Sequence, residues 1–198
     1  MVLDTDIKNQ LSEYLKLMEG NILIKLSVGT DLISKEMTEL VEELASMSSL
    51  IKVEKTKLTR TPSFSINKEN EDTGIIFAGI PLGQEFNSLV LAILQVSGRE
   101  PKVDRKVKER IQQIEENYHF ETYISLTCHN CPEVVQALNI MSVLNPNISH
   151  TMVDGAAYKD EVEARNIMAV PTIYLNGEFF GSGRMSVEEI LEKLNLSP

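Results

Sequence analysis

Both cysteines of the chain fall in one short run, Thr127-Cys128-His129-Asn130-Cys131-Pro132. Two thiols separated by two residues can close and reopen a disulfide between themselves, which is the requirement for thiol–disulfide exchange. The run follows a stretch with strand character and opens one with helical spacing. A helix N-terminus presents free N–H groups and the positive end of the dipole, and both favour a thiolate. Pro132 suits the first helical turn, where its missing N–H would have had no partner. Cys128, at the more exposed edge of the helix start, reads as the nucleophile and Cys131 as the resolving thiol. Zinc would need four ligands, and beyond the sulfurs the chain offers only His119, His129 and His150, at no recognised finger spacing. A purely structural disulfide over so small a loop would add little stability. The second chemical feature is Val170-Pro171, just before a strand. A cis bond there would set non-strand backbone against the dithiol, and Val170 would offer its N–H and C=O to an incoming chain. Alone, such a proline reads as a turn or edge-strand residue.

The elements that must position these residues follow from periodicity. Helical spacing is expected from Leu3 to Met18, from Ser34 to Met47, from Gln84 to Val96, through Val103 to Ile114, from Cys128 to Leu144, over Tyr158 to Asn166 and from Ser186 to Leu194. Ser186 and Glu189 fit a capping box at the last of these. Strands are expected at Asn21 to Val28, Leu50 to Glu54, Ser63 to Ile66, Ile75 to Ala78, His119 to Leu126, Ile148 to Val153, Thr172 to Leu175 and Glu178 to Phe180. Asn67 to Gly74 reads as a polar hairpin loop, and Asn176-Gly177 as a tight hairpin turn. Gly98 and Pro101 mark an internal boundary.

The order repeats: helix, strand, helix, strand, proline, hairpin, helix. Pro62-Ser63-Phe64-Ser65-Ile66-Asn67 in the first half parallels Pro171-Thr172-Ile173-Tyr174-Leu175-Asn176 in the second. The pattern predicts a tandem repeat of one α/β unit, residues 1–98 and 99–198. The alternative is a single mixed α/β domain with coincidental hairpins.

The whole chain has 198 residues, with 19 Lys and Arg against 29 Asp and Glu, a formal charge of −10. The deficit is even along the chain, so neither half is a basic module for nucleic acid, and no polybasic segment suits an anionic membrane. The longest apolar run, Leu89 to Leu94, falls well short of the ~18 residues of a membrane span. The N-terminus carries Asp4 and Asp6 and no apolar core of a signal peptide, so a cytoplasmic location is expected. Partners should be small molecules or proteins.

Phe120 to Leu196 resembles the thioredoxin fold, and the first half resembles a degenerate second copy with no cysteine. The fold class expected is therefore α/β, two tandem thioredoxin-like units, each a central mixed β-sheet flanked by helices, packed as one domain. Ser125-Leu126-Thr127-Cys128-His129-Asn130-Cys131-Pro132, the run Val134 to Asn139, and Phe77-Ala78-Gly79-Ile80-Pro81-Leu82-Gly83-Gln84-Glu85-Phe86 together resemble the N-terminal domain of the flavoprotein (F) subunit of alkyl hydroperoxide reductase. That resemblance implies an electron relay from a following flavin domain to a peroxiredoxin partner, with Cys128 and Cys131 as the redox pair. It also implies that Glu85 is a buried acid handling the nucleophile's proton. By position alone, a Glu in a first helical turn is an ordinary solvated residue. His129 and Asn130, between the cysteines, join Val170 and Pro171 as expected partner-binding residues; a protonated His129 would favour the thiolate.

No cofactor is expected within this chain. It has no GxGxxG, and Gly181-Ser182-Gly183 follows a hairpin. FAD and a nicotinamide cofactor belong to the C-terminal part of the family's full-length protein, so the chain reads as a fragment, with a linker starting near Asn195 to Pro198. Other readings are a general protein disulfide oxidoreductase of the tandem-thioredoxin kind, or a zinc-binding or interaction module.

Overall fold

The computed structural model describes residues 3–196. The first half runs α1 (Thr5–Leu15), β1 (Ile22–Ser27), α2 (Leu32–Met47), β2 (Ile51–Lys55), β3 (Ser63–Lys68), β4 (Glu71–Ala78), a 3-10 turn (Gly83–Glu85) and α3 (Phe86–Val96). The second half runs α4 (Arg105–Gln112), β5 (Tyr118–Ile124), α5 (Cys131–Leu144), β6 (Ile148–Asp154), α6 (Lys159–Ala164), β7 (Thr172–Leu175), β8 (Glu178–Ser182) and α7 (Val187–Leu196). Ser197 and Pro198, the end of the expected linker, lie outside the described residues.

All eight strands form one sheet, in the order β2-β1-β3-β4-β6-β5-β7-β8. The two halves contribute four strands each in the same internal order, and the same pairing senses recur: β1 with β2 and β5 with β6 parallel, each hairpin antiparallel. The halves join by a parallel pairing of β4 with β6, from Ile75 opposite His150 to Ala78 opposite Val153. What the pattern presents as two sheets is therefore one, because the last hairpin strand of the first half finds its open edge filled by the second.

The helices begin where side chains can supply acceptors. Asp4 accepts from the Ile7 N–H at 2.9 Å, and Asp31 accepts from the Ser34 N–H at 2.9 Å, each satisfying an otherwise unpaired donor of a first turn. Asn176 and Gly177 both take positive φ (50° and 82°), the conformation a two-residue hairpin needs. The hairpin β3–β4 is longer than the sequence suggests. Its polar residues Asn67 and Thr73 are buried and paired: Asn67 Nδ2 donates to Ser65 Oγ at 2.8 Å, and Asn67 Oδ1 accepts from the Thr73 N–H at 3.2 Å. Side-chain hydrogen bonds thus carry the ladder through residues whose polarity reads as loop.

One face of the sheet holds the main core. Leu89 and Ile93 of α3 pack there with Ile124, Cys131, Val135 and Met152, so α3 and α5 lie side by side. Residues at helical spacing, Val134, Leu138 and Met141, give α5 a second apolar stripe against Phe120, Ile111 and Ile190. The opposite face is covered by α6 and carries Tyr123, Val153 and Tyr174. No helix among the described residues is long and apolar enough to cross a membrane.

Candidate functional site: the Cys128–Cys131 pair

β5 ends at Ile124, the chain turns, and the Cys128 N–H donates to the Ser125 carbonyl at 3.0 Å. α5 then begins with Cys131, Asn130 standing at its N-cap and Pro132 in its first turn. Cys128 and Cys131 are joined as a disulfide, with their Cα atoms 5.6 Å apart. Cys131 is fully buried in the core beneath α3, whereas Cys128 is half-exposed. His129 and Asn130 are exposed, and the Asn130 side chain makes no capping bond, so both face outward beside the sulfur. An accessible sulfur in front of a helix N-terminus with a buried partner behind it is the arrangement in which the outer thiol attacks and the inner one resolves.

The peptide bond Val170–Pro171 is cis, as is Thr61–Pro62 at the matching place in the first half. The Val170 carbonyl oxygen lies 3.9 Å from Cys128 Sγ. The next carbonyl, of Pro171, accepts from the Gly183 N–H at 2.9 Å, which anchors this loop to the hairpin beyond. Val170 is half-buried and Pro171 buried, so what this loop offers beside the sulfur is mainly backbone.

Glu85 approaches from the other half. Gly83 holds φ +57°, and a Cβ there would sit 2.7 Å from the Leu126 carbonyl oxygen. That close approach lets the Gln84 N–H donate to the same carbonyl at 2.9 Å, two residues before Cys128. The turn is thereby tied to the loop carrying the nucleophile, and it packs on α5. Glu85 is 0% exposed, and neither of its carboxyl oxygens has a hydrogen-bond partner. Burial pushes its pKa up to about 7, with the Ser88 hydroxyl acting in the opposite direction. The residue is thus not the solvated helix-start glutamate that its position alone suggests. Leu82 and Phe86, beside it, are partly buried and pack against the core that contains Cys131.

Two polar positions that the sequence did not mark stand here as well. Gln136, on α5, donates from Nε2 to Ser88 Oγ at 3.1 Å, and Ser88 is fully buried. The signal available was a serine three residues after Glu85 inside an apolar helix. On the far face of the sheet, Arg60 pairs with Glu161 at 2.7 Å and with Glu121. Arg165 pairs with Glu121 at 3.0 Å and lies 4.2 Å from the Tyr174 ring centre. This network spans the two halves without touching the dithiol. Among the described residues no cluster of side chains is arranged to hold a metal ion. Gly181, Ser182 and Gly183 sit in and just after β8, not at a strand-to-helix turn, and so do not fit a dinucleotide pyrophosphate.

Known proteins are similar to this chain in sequence and fold. The family described as "Thioredoxin domain" matches residues 118–195. The F subunit of alkyl hydroperoxide reductase in Staphylococcus aureus is 56% identical over 98% of this chain. A Bacillus subtilis protein named NADH dehydrogenase is 69% identical over 98% of it. The crystal structure of the NTD_N/C domain of the alkylhydroperoxide reductase AhpF from Enterococcus faecalis superposes with TM-score 0.89 at 28% identity, covering 97% of this chain and 99% of that one. The chain carries a thioredoxin domain over residues 118–195 and, over nearly its whole length, is similar to the N-terminal part of alkyl hydroperoxide reductase F subunits. It spans 38% of the length of these two curated relatives. In this chain the two halves share one sheet, and the CxxC pair lies at disulfide distance, as thiol–disulfide oxidoreductase chemistry requires.

Proposed function

We propose that this chain reduces the disulfide of a peroxiredoxin partner and is itself reduced by a dithiol of a flavin-containing domain that belongs to the same longer protein. FAD and a nicotinamide cofactor would be bound there. The half-exposed Cys128 in front of α5, with buried Cys131 behind it, carries this reading.

In the reduced chain the Cys128 thiolate attacks one sulfur of the partner's disulfide. The new S–S bond forms as the partner's other sulfur leaves as a thiolate. Cys131 then attacks Cys128 Sγ, releasing the partner's second thiolate and closing the Cys128–Cys131 disulfide. The partner gains two electrons, and its two thiolates take up the protons that the chain's two thiols give up. Glu85 receives the nucleophile's proton: a carboxyl titrating near 7 is half ionised at neutral pH, where its proton affinity suits that exchange. Val170 and Pro171 form the backbone platform for the partner's chain, with His129 and Asn130 at the rim. Residues 1–98 form the cysteine-free unit, which supplies Glu85, and residues 99–198 the redox unit.

The test is the Cys131→Ser variant, reduced and mixed with the oxidised peroxiredoxin. It should accumulate a mixed disulfide through Cys128, visible on a non-reducing gel and absent with Cys128→Ser. Full electron transfer by Cys131→Ser would overturn the assignment of the two sulfurs. Equal rates with unrelated protein disulfides would favour a general disulfide reductase.

A further inference from the structure

The carboxyl of Glu85 is fully buried and neither of its oxygens has a formed hydrogen bond, although the Ser88 hydroxyl is close enough to lower its pKa. Such a group rests easily as the neutral acid, but its ionised form needs a hydrogen bond. Ser88 follows three residues later, the spacing that brings side chains onto one helix face. Ser88 is as deeply buried as Glu85, and its oxygen accepts from Gln136 Nε2 at 3.1 Å. A hydroxyl oxygen occupied by an incoming N–H still has its own O–H to give. No hydrogen bond among the described residues takes that proton, and among their buried side-chain acceptors only the two oxygens of Glu85 lack a partner.

We propose that Ser88 and Gln136 are a positioning pair, Gln136 orienting the Ser88 hydroxyl as the donor to ionised Glu85 and so tying the proton-handling carboxyl to the helix that starts at Cys131. The proposal rests on the reading of Glu85 as proton acceptor given above. It explains how so dry a site can hold a carboxylate during turnover: the hydroxyl turns toward the carboxyl when the proton leaves. Charged groups of the packed elements do not substitute for it. Glu133 of α5 is engaged with Arg184, Lys8 of α1 pairs with Glu43, and Asp6 and Glu13 of α1 and Lys68 of β3 are exposed. Burial raises the Glu85 pKa and the Ser88 hydroxyl lowers it. In the reduced protein, the titratable group that α5 turns into this core is the Cys131 thiol.

The experiment is a carbon NMR titration of the oxidised chain labelled at glutamate carboxyls, the Glu85 signal being assigned by its loss in Glu85→Gln. Ser88→Ala should raise the Glu85 midpoint by roughly one pH unit, the loss of one hydrogen bond to a charged group. Gln136→Leu should raise it by less, and Ser88→Thr, which keeps the hydroxyl, should restore the wild-type midpoint. The pH dependence of the reduced dithiol's reaction with a small aromatic disulfide should move with it. A midpoint unchanged in Ser88→Ala refutes the pair. If the midpoint moves but Glu85→Gln reacts with the pH dependence of the wild type, the pair stands as the determinant of Glu85 ionisation, and the proton-acceptor reading is what fails.

Discussion

Replacing Glu85 by Gln should make the protein's stability less sensitive to rising pH. The carboxyl titrates near 4.5 when exposed in the unfolded chain and near 7 in the fold, where burial raises it. Between those values the folded state holds a proton that the unfolded state has lost. Stability is therefore greatest below about 4.5, declines as pH climbs, and levels off once the folded carboxyl has ionised above 7. At about 1.4 kcal/mol per pH unit, the wild type should lose about 3 kcal/mol through this one group. Glutamine keeps the shape of the neutral acid and cannot ionise. Any fixed cost of its amide is the same at every pH and cancels in the comparison. Urea unfolding of the oxidised protein at pH 4.5 and pH 8.5 reads the effect, since the cysteines are then unable to titrate. The Glu85→Gln variant should gain on the wild type by about 3 kcal/mol between the two conditions. A stability difference that stays constant across that range would mean that Glu85 titrates like a surface carboxylate, and the argument for a proton held in a dry pocket would fail.

Other sites have measurable consequences. Arg60, whose side chain is 12% exposed, holds Glu121 and Glu161; together with Arg165 it keeps Glu121 below the usual carboxylate range against the upward push of burial. Arg60→Met should cost about 3 kcal/mol in urea unfolding at pH 7, with a smaller deficit below pH 4, where the freed acids are neutral. His150 lies fully buried between Thr122 and Asn139, and burial drives its pKa down to about 3. The stability it confers is complete above 6.5 and is lost as pH falls toward 3, so His150→Gln should show a flatter acid limb when the urea midpoint is followed against pH. Gly83→Ala places a methyl against the Leu126 carbonyl at positive φ and should destabilise by roughly 1–3 kcal/mol, with faster hydrogen exchange of the Gln84 amide.

Much of the fold is legible because its signals are local. Val134, Leu138 and Met141 repeat at helical spacing, Asn176-Gly177 specifies a hairpin turn, and the recurrence of Pro-Ser-Phe and Pro-Thr-Ile reveals a doubled plan. The long β3–β4 hairpin is hidden because Asn67 and Thr73 look like loop residues until their hydrogen bonds are seen. The joining of the halves through β4 and β6 has no sequence signature at all, since parallel partners can lie anywhere along the chain. In the site, the cysteines declare themselves by spacing. Glu85 does not: its enclosure comes from Leu82 and Phe86 beside it and from α5, far along the chain. Ser88 and Gln136 are more remote still, as each is an ordinary polar residue until the two helices are laid together.

The continuous sheet explains why the cysteine-free half belongs with the redox half. A CxxC motif needs only its own strand and helix to set a sulfur in front of a helix N-terminus. The proton-handling role proposed for Glu85 has a harder requirement: its carboxyl must be kept from water yet held at a fixed place relative to the sulfur. A surface loop could satisfy neither condition. Here the 3-10 turn is anchored at one end by β4, which is paired in the sheet with β6, and at the other by α3, which packs along α5. The Gln84 N–H closes the frame onto the Leu126 carbonyl. Three independent ties, through sheet, helix and loop, thus converge on one turn, and a shift of one half against the other would break all of them together. On the proposed reading the first half, which has no cysteine of its own, supplies the second with a buried carboxyl, and the shared sheet fixes where that carboxyl stands.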